Sequence, residues 1–357
     1  MANMNAGSRR RIMKFSNPPL IRIGLLVFAL QVYWQPSIRA AEPSLAEAAK
    51  REGKVVLFTV VAESQQVVNQ FEKKYPFIKV EVVRATAYPL LNRILNETRA
   101  GIHNYDVVLQ TPFPMNLLVQ RGLVQVYESP ERKAYRPDWK DREGYWTSVD
   151  DLYLAVGYNT KLISQNDAPR DWNELLDPKW RGKIAMDPDN HLLYGGLEQR
   201  WGKTSAIEYF KRLSAQQIQF RSGNTLLAQL VVAGEYPLAF LYAHRVEYLK
   251  SQGAAIDSAT TMNPIITIGD PVALSAKPQH PNAGKLLIDF LLSKDGQREF
   301  QKLNRIPSRG DIEPLSPKLD SSKLHFFALS PSLADQENEW RNTFRSIFDI
   351  GGRNGSK

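Results

Sequence analysis

From about position 44 the chain alternates short apolar runs with amphipathic stretches. Ser44 and Glu47 have the spacing of a capping box and Gly53 closes "KREGK", which predicts a first helix between them. "KVVLFTVV" at 54–61 is an apolar run of strand length. A helix is predicted over 64–75, with Val67, Val68 and Phe71 on one face and Tyr75–Pro76 as its stop. In "FIKVEVV" at 77–83, Ile78, Val80 and Val82 alternate with Lys79 and Glu81, as in a strand. Leu90, Leu91, Ile94 and Leu95 share the face of a helix ending at Gly101, and "YDVVLQT" at 105–111 is again a buried strand. Strand, helix, strand, helix, strand argues a parallel sheet covered on both faces.

The middle repeats the alternation with other spacings. "LYLAVGYN" (152–159) is strand-like, "WNELLDPKW" (172–180) a helix with a stop, "GKIAMDP" (182–188) a strand into a loop, and 205–213 a helix. A strand-like "QIQF" leads through "RSGNT" (221–225) into a helix that turns Leu226, Leu227, Leu230 and Val231 inward. "PLAFL" at 237–241 is a buried strand running into Tyr242, His244 and Arg245. "DPVALSA" is a further strand and 281–293 an amphipathic helix. Trp340, Phe344, Ile347 and Phe348 stand at i, i+4, i+7 and i+8 of a last helix, expected to dock on the body. No internal repeat or low-complexity linker divides the chain.

The ends change the charge picture. Residues 1–40 hold six of the 46 basic residues and none of the 37 acidic ones, followed by an apolar "IGLLVFALQVYW" too short to span a bilayer. This predicts an export signal cleaved near Ala40 and a periplasmic product, with "SRRRIMK" similar to a twin-arginine signal. Without those six the formal charge falls from +9 to +3, and no basic block suggests a nucleic-acid groove. The chain has no cysteine, which removes thiol nucleophiles, zinc ribbons and iron–sulfur clusters. No P-loop, HExxH or G-x-S-x-G occurs. "DPDN" at 187–190 starts like a calcium loop, but Leu192 stands where its sharp turn needs glycine.

In an open parallel sheet, ligands bind beyond the carboxyl ends of the strands, where helix N-termini present free N–H groups and partial positive charge. The residues delivered to such places are Thr59 and Glu63, Arg84 and Thr86, Thr111, Asn190, then Arg221, Ser222 and Asn224, and finally Tyr242, His244 and Arg245. Three arginines and a histidine among them point to an anionic ligand. No catalytic group, resident metal or cofactor is expected. His191, His103, His280 and His325 have no ligand spacing and are expected to be ordinary surface or capping residues.

"FEKKYPFIKVEVV", "YDVVLQTPFPMNLLVQRGLVQVY", "LAVGYNTKLI", "DWNELLDPKWRGKIAMDP" and "HPNAGKLLIDFLLSKDGQREF" resemble, in order, the extracellular solute-binding proteins of bacterial ABC importers, in the group of periplasmic ferric-iron binders. The resemblance implies an α/β type 2 periplasmic-binding fold: two lobes, 41–145 with 268–310 and 146–267, a hinged ligand cleft, and a helical tail over 311–357. It further implies a monomer that hands its solute to a membrane permease.

The iron binders follow "E-x-P" and an apolar strand with two adjacent tyrosines that coordinate ferric ion. Aligned on Glu235 and Pro237, this chain has His244 and Arg245 there, and no "YY" anywhere. A guanidinium is always charged and offers only donors, so it cannot ligate a cation. Tyr242 and His244 would share a face if the strand continued. Three readings stand: a binder of a small phosphorylated, phosphonate or carboxylate anion; a ferric-iron binder using Tyr242, His244 and Glu63 with a bridging anion on Arg245; and an exported enzyme with His244 as base.

Overall fold

The computed structural model describes residues 44–351 apart from 321, 322 and 330, so the expected leader lies outside the described residues. α1 (Leu45–Glu52) is capped by Ser44, whose Oγ accepts the Glu47 N–H at 3.3 Å. It stops at Gly53, where φ is 68°, a left-handed turn that glycine makes without strain. β1 (Lys54–Thr59), α2 (Ser64–Lys74), β2 (Lys79–Arg84), α3 (Ala87–Arg99), β3 (Val107–Leu109) and α4 (Pro112–Gln120) follow the predicted rhythm. β2 and β3 pair with β1 in parallel, so α2, α3 and α4 all begin at the same edge of this block.

After the short β4 (Val124–Gln125) comes β5 (Trp146–Asn159), 14 residues long and buried over nearly its whole length. Beyond it lie β6 (Ile184–Met186), α5 (His191–Trp201), α6 (Lys203–Ser214), β7 (Gln219–Phe220), α7 (Asn224–Ala233), β8 (Leu238–Tyr242), α8 (Ala243–Ser251) and β9 (Ile256–Ala259). β10 (Ile265–Ser275), α9 (Pro281–Leu292), α10 (Lys294–Lys302), β11 (Ile306–Pro307), β12 (Phe326–Ala328) and α11 (Glu337–Phe348) complete the body. The main sheet runs β2-β1-β3-β10-β5-β8-β6-β7. β6, β7 and β8 form a second parallel block, and the antiparallel pair β10–β5 joins it to the first.

The register fixes where a ligand could sit. The last residue of β3, Leu109, lies opposite Val272 of β10, and the last of β8, Tyr242, opposite Leu154 of β5. Between them Asp151 of β5 pairs with Gly269 of β10. The carboxyl ends of both blocks therefore converge on the middle of the joining pair. Apolar packing divides the same way: Phe71, Leu57 and Phe290 belong to one cluster, and Tyr194, Phe210 and Trp340 to another.

Three stretches differ from the sequence reading. The predicted helix at 172–180 is two short 3-10 turns, Asn173–Leu176 and Pro178–Trp180, because Asp177 accepts the Lys179 N–H at 2.9 Å and restarts the chain before a proline. β5 begins at Trp146, well before the predicted 152. α5 fills what reads as a loop, since Gly195 and Gly196 weaken its helical signal. Both glycines serve packing: a Cβ on Gly195 would stand 2.3 Å from the Trp340 ring, and one on Gly196 2.6 Å from Ile266. The Trp340 indole N–H also donates to Glu198 Oε1 at 3.0 Å, so α11 lies seated on α5.

Candidate functional site

The loop after β1 is shaped by Thr59, which is fully buried. Its hydroxyl shares a hydrogen bond with Ser64 Oγ at 2.8 Å and accepts the Val61 N–H at 3.1 Å. That turn puts Glu63 at the start of α2, where Oε2 accepts from Arg305 Nη2 at 2.9 Å. The other amino group, Nη1, donates to Asp150 Oδ2 of β5 at 2.9 Å and stands 3.7 Å from Asp270 of β10. One guanidinium therefore ties the first block to both joining strands, through Asp150, which is fully buried, and Asp270, which is nearly so.

Burial alone would lift the Glu63 pKa, but the charge and hydrogen bond of Arg305 outweigh it and hold the carboxylate below its usual range. For Asp150 and Asp270 burial wins, and both are raised; their mutual repulsion adds to the rise at Asp270, while Arg305 opposes it. Asp150 Oδ1 and Asp270 Oδ1 are buried with no hydrogen-bond partner.

From the second block, the chain does not stay extended past Tyr242. Ala243 begins α8, so His244 and Arg245 occupy its first turn rather than one face of a strand. Tyr242 and His244 are still neighbours, stacked with centroids 5.9 Å apart and planes 16° apart. Burial pushes the Tyr242 phenol up to about 12, with the Asp270 and Asp187 carboxylates adding to the rise. Burial, with the charges of Arg305 and Arg245, pushes the His244 imidazole down to about 3, so it is neutral at pH 7. Its Nδ1 is buried without a partner. Among the described residues no carboxylate forms an ion pair with Arg245, whose guanidinium lies 5.8 Å from the Tyr248 ring centroid.

The other expected residues fall at graded distances from this cluster. Asn224 opens α7 and its Oδ1 accepts the Tyr242 N–H at 3.3 Å, while Asp187 accepts the neighbouring Gly223 N–H at 2.6 Å. Thr86 and Thr111 precede α3 and α4, joined through Gln110, which donates to the Ala87 carbonyl at 2.9 Å and accepts the Thr111 N–H at 2.9 Å. Asn190 precedes α5, buried, with Nδ2 unpartnered. Ser222 and Arg84 are exposed at the ends of β7 and β2. Arg221 turns away: its guanidinium sits 5.5 Å from the ring of Tyr236, six residues and so roughly 20 Å of extended chain before Tyr242.

α2, α3, α4, α5, α7 and α8 share one property: none receives a side-chain hydrogen bond from its N-cap residue. Away from the cleft, Ser44 and Ser293 cap α1 and α10, and Glu52 accepts the first N–H groups of α9. The helix starts on the cleft edge are left open; α6 and α11, elsewhere, also lack a side-chain cap, so it is the gathering of open starts at one edge that matters.

The profile of the bacterial extracellular solute-binding protein family matches residues 103–326, more than half of the chain. The chain belongs to that family. As a solute-binding protein it has the substrate-binding role of an ABC transporter. It is 21% identical over 306 residues to an Fe(3+)-binding periplasmic protein of Serratia marcescens, covering 78% of this chain and 89% of that one. It is 28% identical over 192 residues to a Salmonella typhi protein provisionally described as 2-aminoethylphosphonate-binding and periplasmic, spanning 49% of this chain and 55% of the relative. Among solved structures, AfuA of Actinobacillus pleuropneumoniae with fructose-6-phosphate bound superposes with a TM-score of 0.71 at 23% identity, covering 84% of this solute-binding protein and all of AfuA. Iron-bound HitA of Pseudomonas aeruginosa also gives 0.71, at 20% identity, covering 82% of this chain and 99% of HitA. The fold is therefore that of type 2 periplasmic-binding proteins, and the relatives so described are periplasmic.

Three residues of the cluster escaped sequence reasoning: Asp150, Asp270 and Arg305. Asp150 and Asp270 lie mid-strand, and Arg305 follows α10 by three positions. "VDD" running directly into the apolar "LYLAVGY" was the available signal, since buried carboxylates require a cation or donor nearby.

Proposed function

We propose that this solute-binding protein captures a small organic anion, phosphorylated, phosphonate or carboxylate, by approach of two lobes, 41–145 with 268–310 and 146–267, and delivers it to a membrane permease. The carrying observation is the set of uncapped helix starts facing the cleft together with Arg245, a cation with no carboxylate paired to it among the described residues. A guanidinium contributes about 1.5–3 kcal/mol per charge-assisted bond. Micromolar binding requires about 8 kcal/mol, which two such bonds and several backbone N–H groups can supply.

A ferric ion fits the same residues poorly. Glu63 is held by Arg305, the Tyr242 phenol is kept protonated by burial and Asp270, and the charges of Arg305 and Arg245 both act on Glu63 and His244. A trivalent cation would have to compete with Arg305 for Glu63 Oε2 and would meet its positive charge. For enzymatic action, His244 lacks a hydrogen-bonded hydroxyl or carboxylate among the described residues, which supports binding rather than turnover. An export signal ending near Ala40 fits this placement.

Thermal shift against phosphate, 2-aminoethylphosphonate, fructose 6-phosphate, citrate and ferric salts tests the proposal. A ligand at a hundred times its Kd adds about 2.7 kcal/mol. Stabilisation by ferric salts with a phenolate-to-iron absorption band, and by none of the anions, would sink it.

A further inference from the structure

We infer that the C-terminal segment is a latch across the rim of the cleft, holding the two sheet blocks in the approach seen here. Glu337, the first residue of α11, is buried. Its Oε1 accepts from His191 Nε2 at 2.9 Å and from Arg341 Nη2 at 2.6 Å. Its Oε2 accepts a short hydrogen bond from the Tyr88 hydroxyl. Tyr88 lies in the first turn of α3, on the first block, and His191 opens α5, on the second. A single carboxylate carried by the tail therefore joins helix starts from both sides of the cleft.

An apolar contact doubles the connection. Trp340, seated against Gly195 of α5, has its ring 5.9 Å from that of Phe113 in the first turn of α4. The 3-10 turn Pro331–Gln336 runs beside α4 before α11 begins.

The two attachments differ in kind, aromatic burial on the second block and mainly polar contacts around Tyr88 on the first. On the second block the tail is anchored by Trp340, by Phe344 and Phe348 each 6.1 Å from Phe210, by Lys203 to Glu339 at 2.5 Å and by Gln199 to Gln336 at 2.7 Å. On the first block it holds by the Tyr88 hydroxyl, by Arg341 with its guanidinium 5.7 Å from the Tyr88 ring centroid, by the tilted Phe113 ring and by the 3-10 turn beside α4, next to a groove of about 290 Å³ lined by Leu91, Leu117 and Asp335. When the blocks separate, the tail travels with the second and the Tyr88–Glu337 bond breaks. The latch thus favours the arrangement in which Glu63 and Arg305 face His244 and Arg245. The inference rests on lobe motion about β5 and β10 and is independent of which solute binds.

The chain has no cysteine, so two introduced ones can carry spin labels without background. Lys73→Cys on α2 and Lys211→Cys on α6, both exposed, report the separation of the blocks in the ligand-free protein. Tyr88→Phe and Glu337→Gln should each raise the ratio of long to short distances about tenfold, the effect of losing one charge-assisted hydrogen bond. Lys203→Met, which loosens the tail only from the second block, should leave the distribution unchanged. Unaltered or shorter distances in Tyr88→Phe, or equal widening in Lys203→Met, would overturn the latch. Failure of every anion in the thermal panel would leave this distance result standing, so the two readings fail separately.

Discussion

Replacing Arg305 by alanine removes the cation that pairs with Glu63 at 2.9 Å, with Asp150 at 2.9 Å and with Asp270 at 3.7 Å. Breaking a buried pair by deleting one partner costs about 3–5 kcal/mol, because the remaining charge is left in a poorly hydrated site. For a body of roughly 300 residues the entropy of melting is about 0.65 kcal/mol per degree, so the melting temperature at pH 7 should fall by about 5–8 °C. The sign of the pH dependence follows from the carboxylates. Arg305 depresses the Glu63 pKa below its usual 4.5, so its contribution is present above that value and lost as pH falls through the lower folded one. Asp150 and Asp270 are already raised by burial, and without the guanidinium they rise further. They can then take up protons under mild acid, which removes the uncompensated charge. Calorimetry of Arg305→Ala should therefore show its largest deficit at pH 7 and a smaller one at pH 4.5. A loss under about 2 °C at pH 7, or a deficit that does not shrink at pH 4.5, would refute the reasoning.

Other outcomes follow from single contacts. Arg245→Ala should weaken binding of the anion identified in the thermal panel at least tenfold, about 1.4 kcal/mol, with little change in melting temperature; unchanged affinity by calorimetry removes Arg245 from the site. His244 has its pKa lowered from 6.5 to about 3, so below pH 6.5 the unfolded chain binds a proton that the folded one does not, and stability falls with pH across that window. By pH 4.5 the difference between wild type and His244→Gln in urea unfolding should reach about 2.7 kcal/mol, and parallel pH profiles would contradict it. Gly195→Ala places a methyl 2.3 Å from the Trp340 ring and should cost about 1–3 kcal/mol by overpacking. In a Trp340→Ala background that cost should largely vanish, as a double-mutant cycle would show.

The alternation of strands and helices was legible because each element buries one face, and burial leaves a period. Legibility failed where two-sided burial or packing on glycine erased that period. The first half of β5 reads as polar "WTSVDD", yet Thr147 accepts from Arg132 at 2.6 Å, Ser148 donates to the Asp150 carbonyl at 2.9 Å and Asp151 accepts from Ser308 at 2.5 Å. Arg132 and Ser308 come from outside the strand, so no pattern within it shows them. His191, expected to be an ordinary surface or capping residue, is buried and paired with Glu337 at 2.9 Å; His280 stands at the N-cap of α9 and also pairs with Asp106 at 2.8 Å. The cleft positions drawn from strand ends were readable by rule, whereas Asp150, Asp270 and Arg305 depend on the register of β5 against β10.

The uncapped helix starts have a consequence for how this protein balances persistence against use. A serine or aspartate at an N-cap typically adds about 1 kcal/mol to a helix, and the six helices that start at the cleft edge forgo it. On the function proposed above, an arriving anion would supply the missing acceptor to several of them at once, and the solute would then act as a shared, exchangeable piece of the fold. Substitutions that firmed up the empty protein at these positions would occupy its cargo's place, and selection for a sturdier chain must look elsewhere.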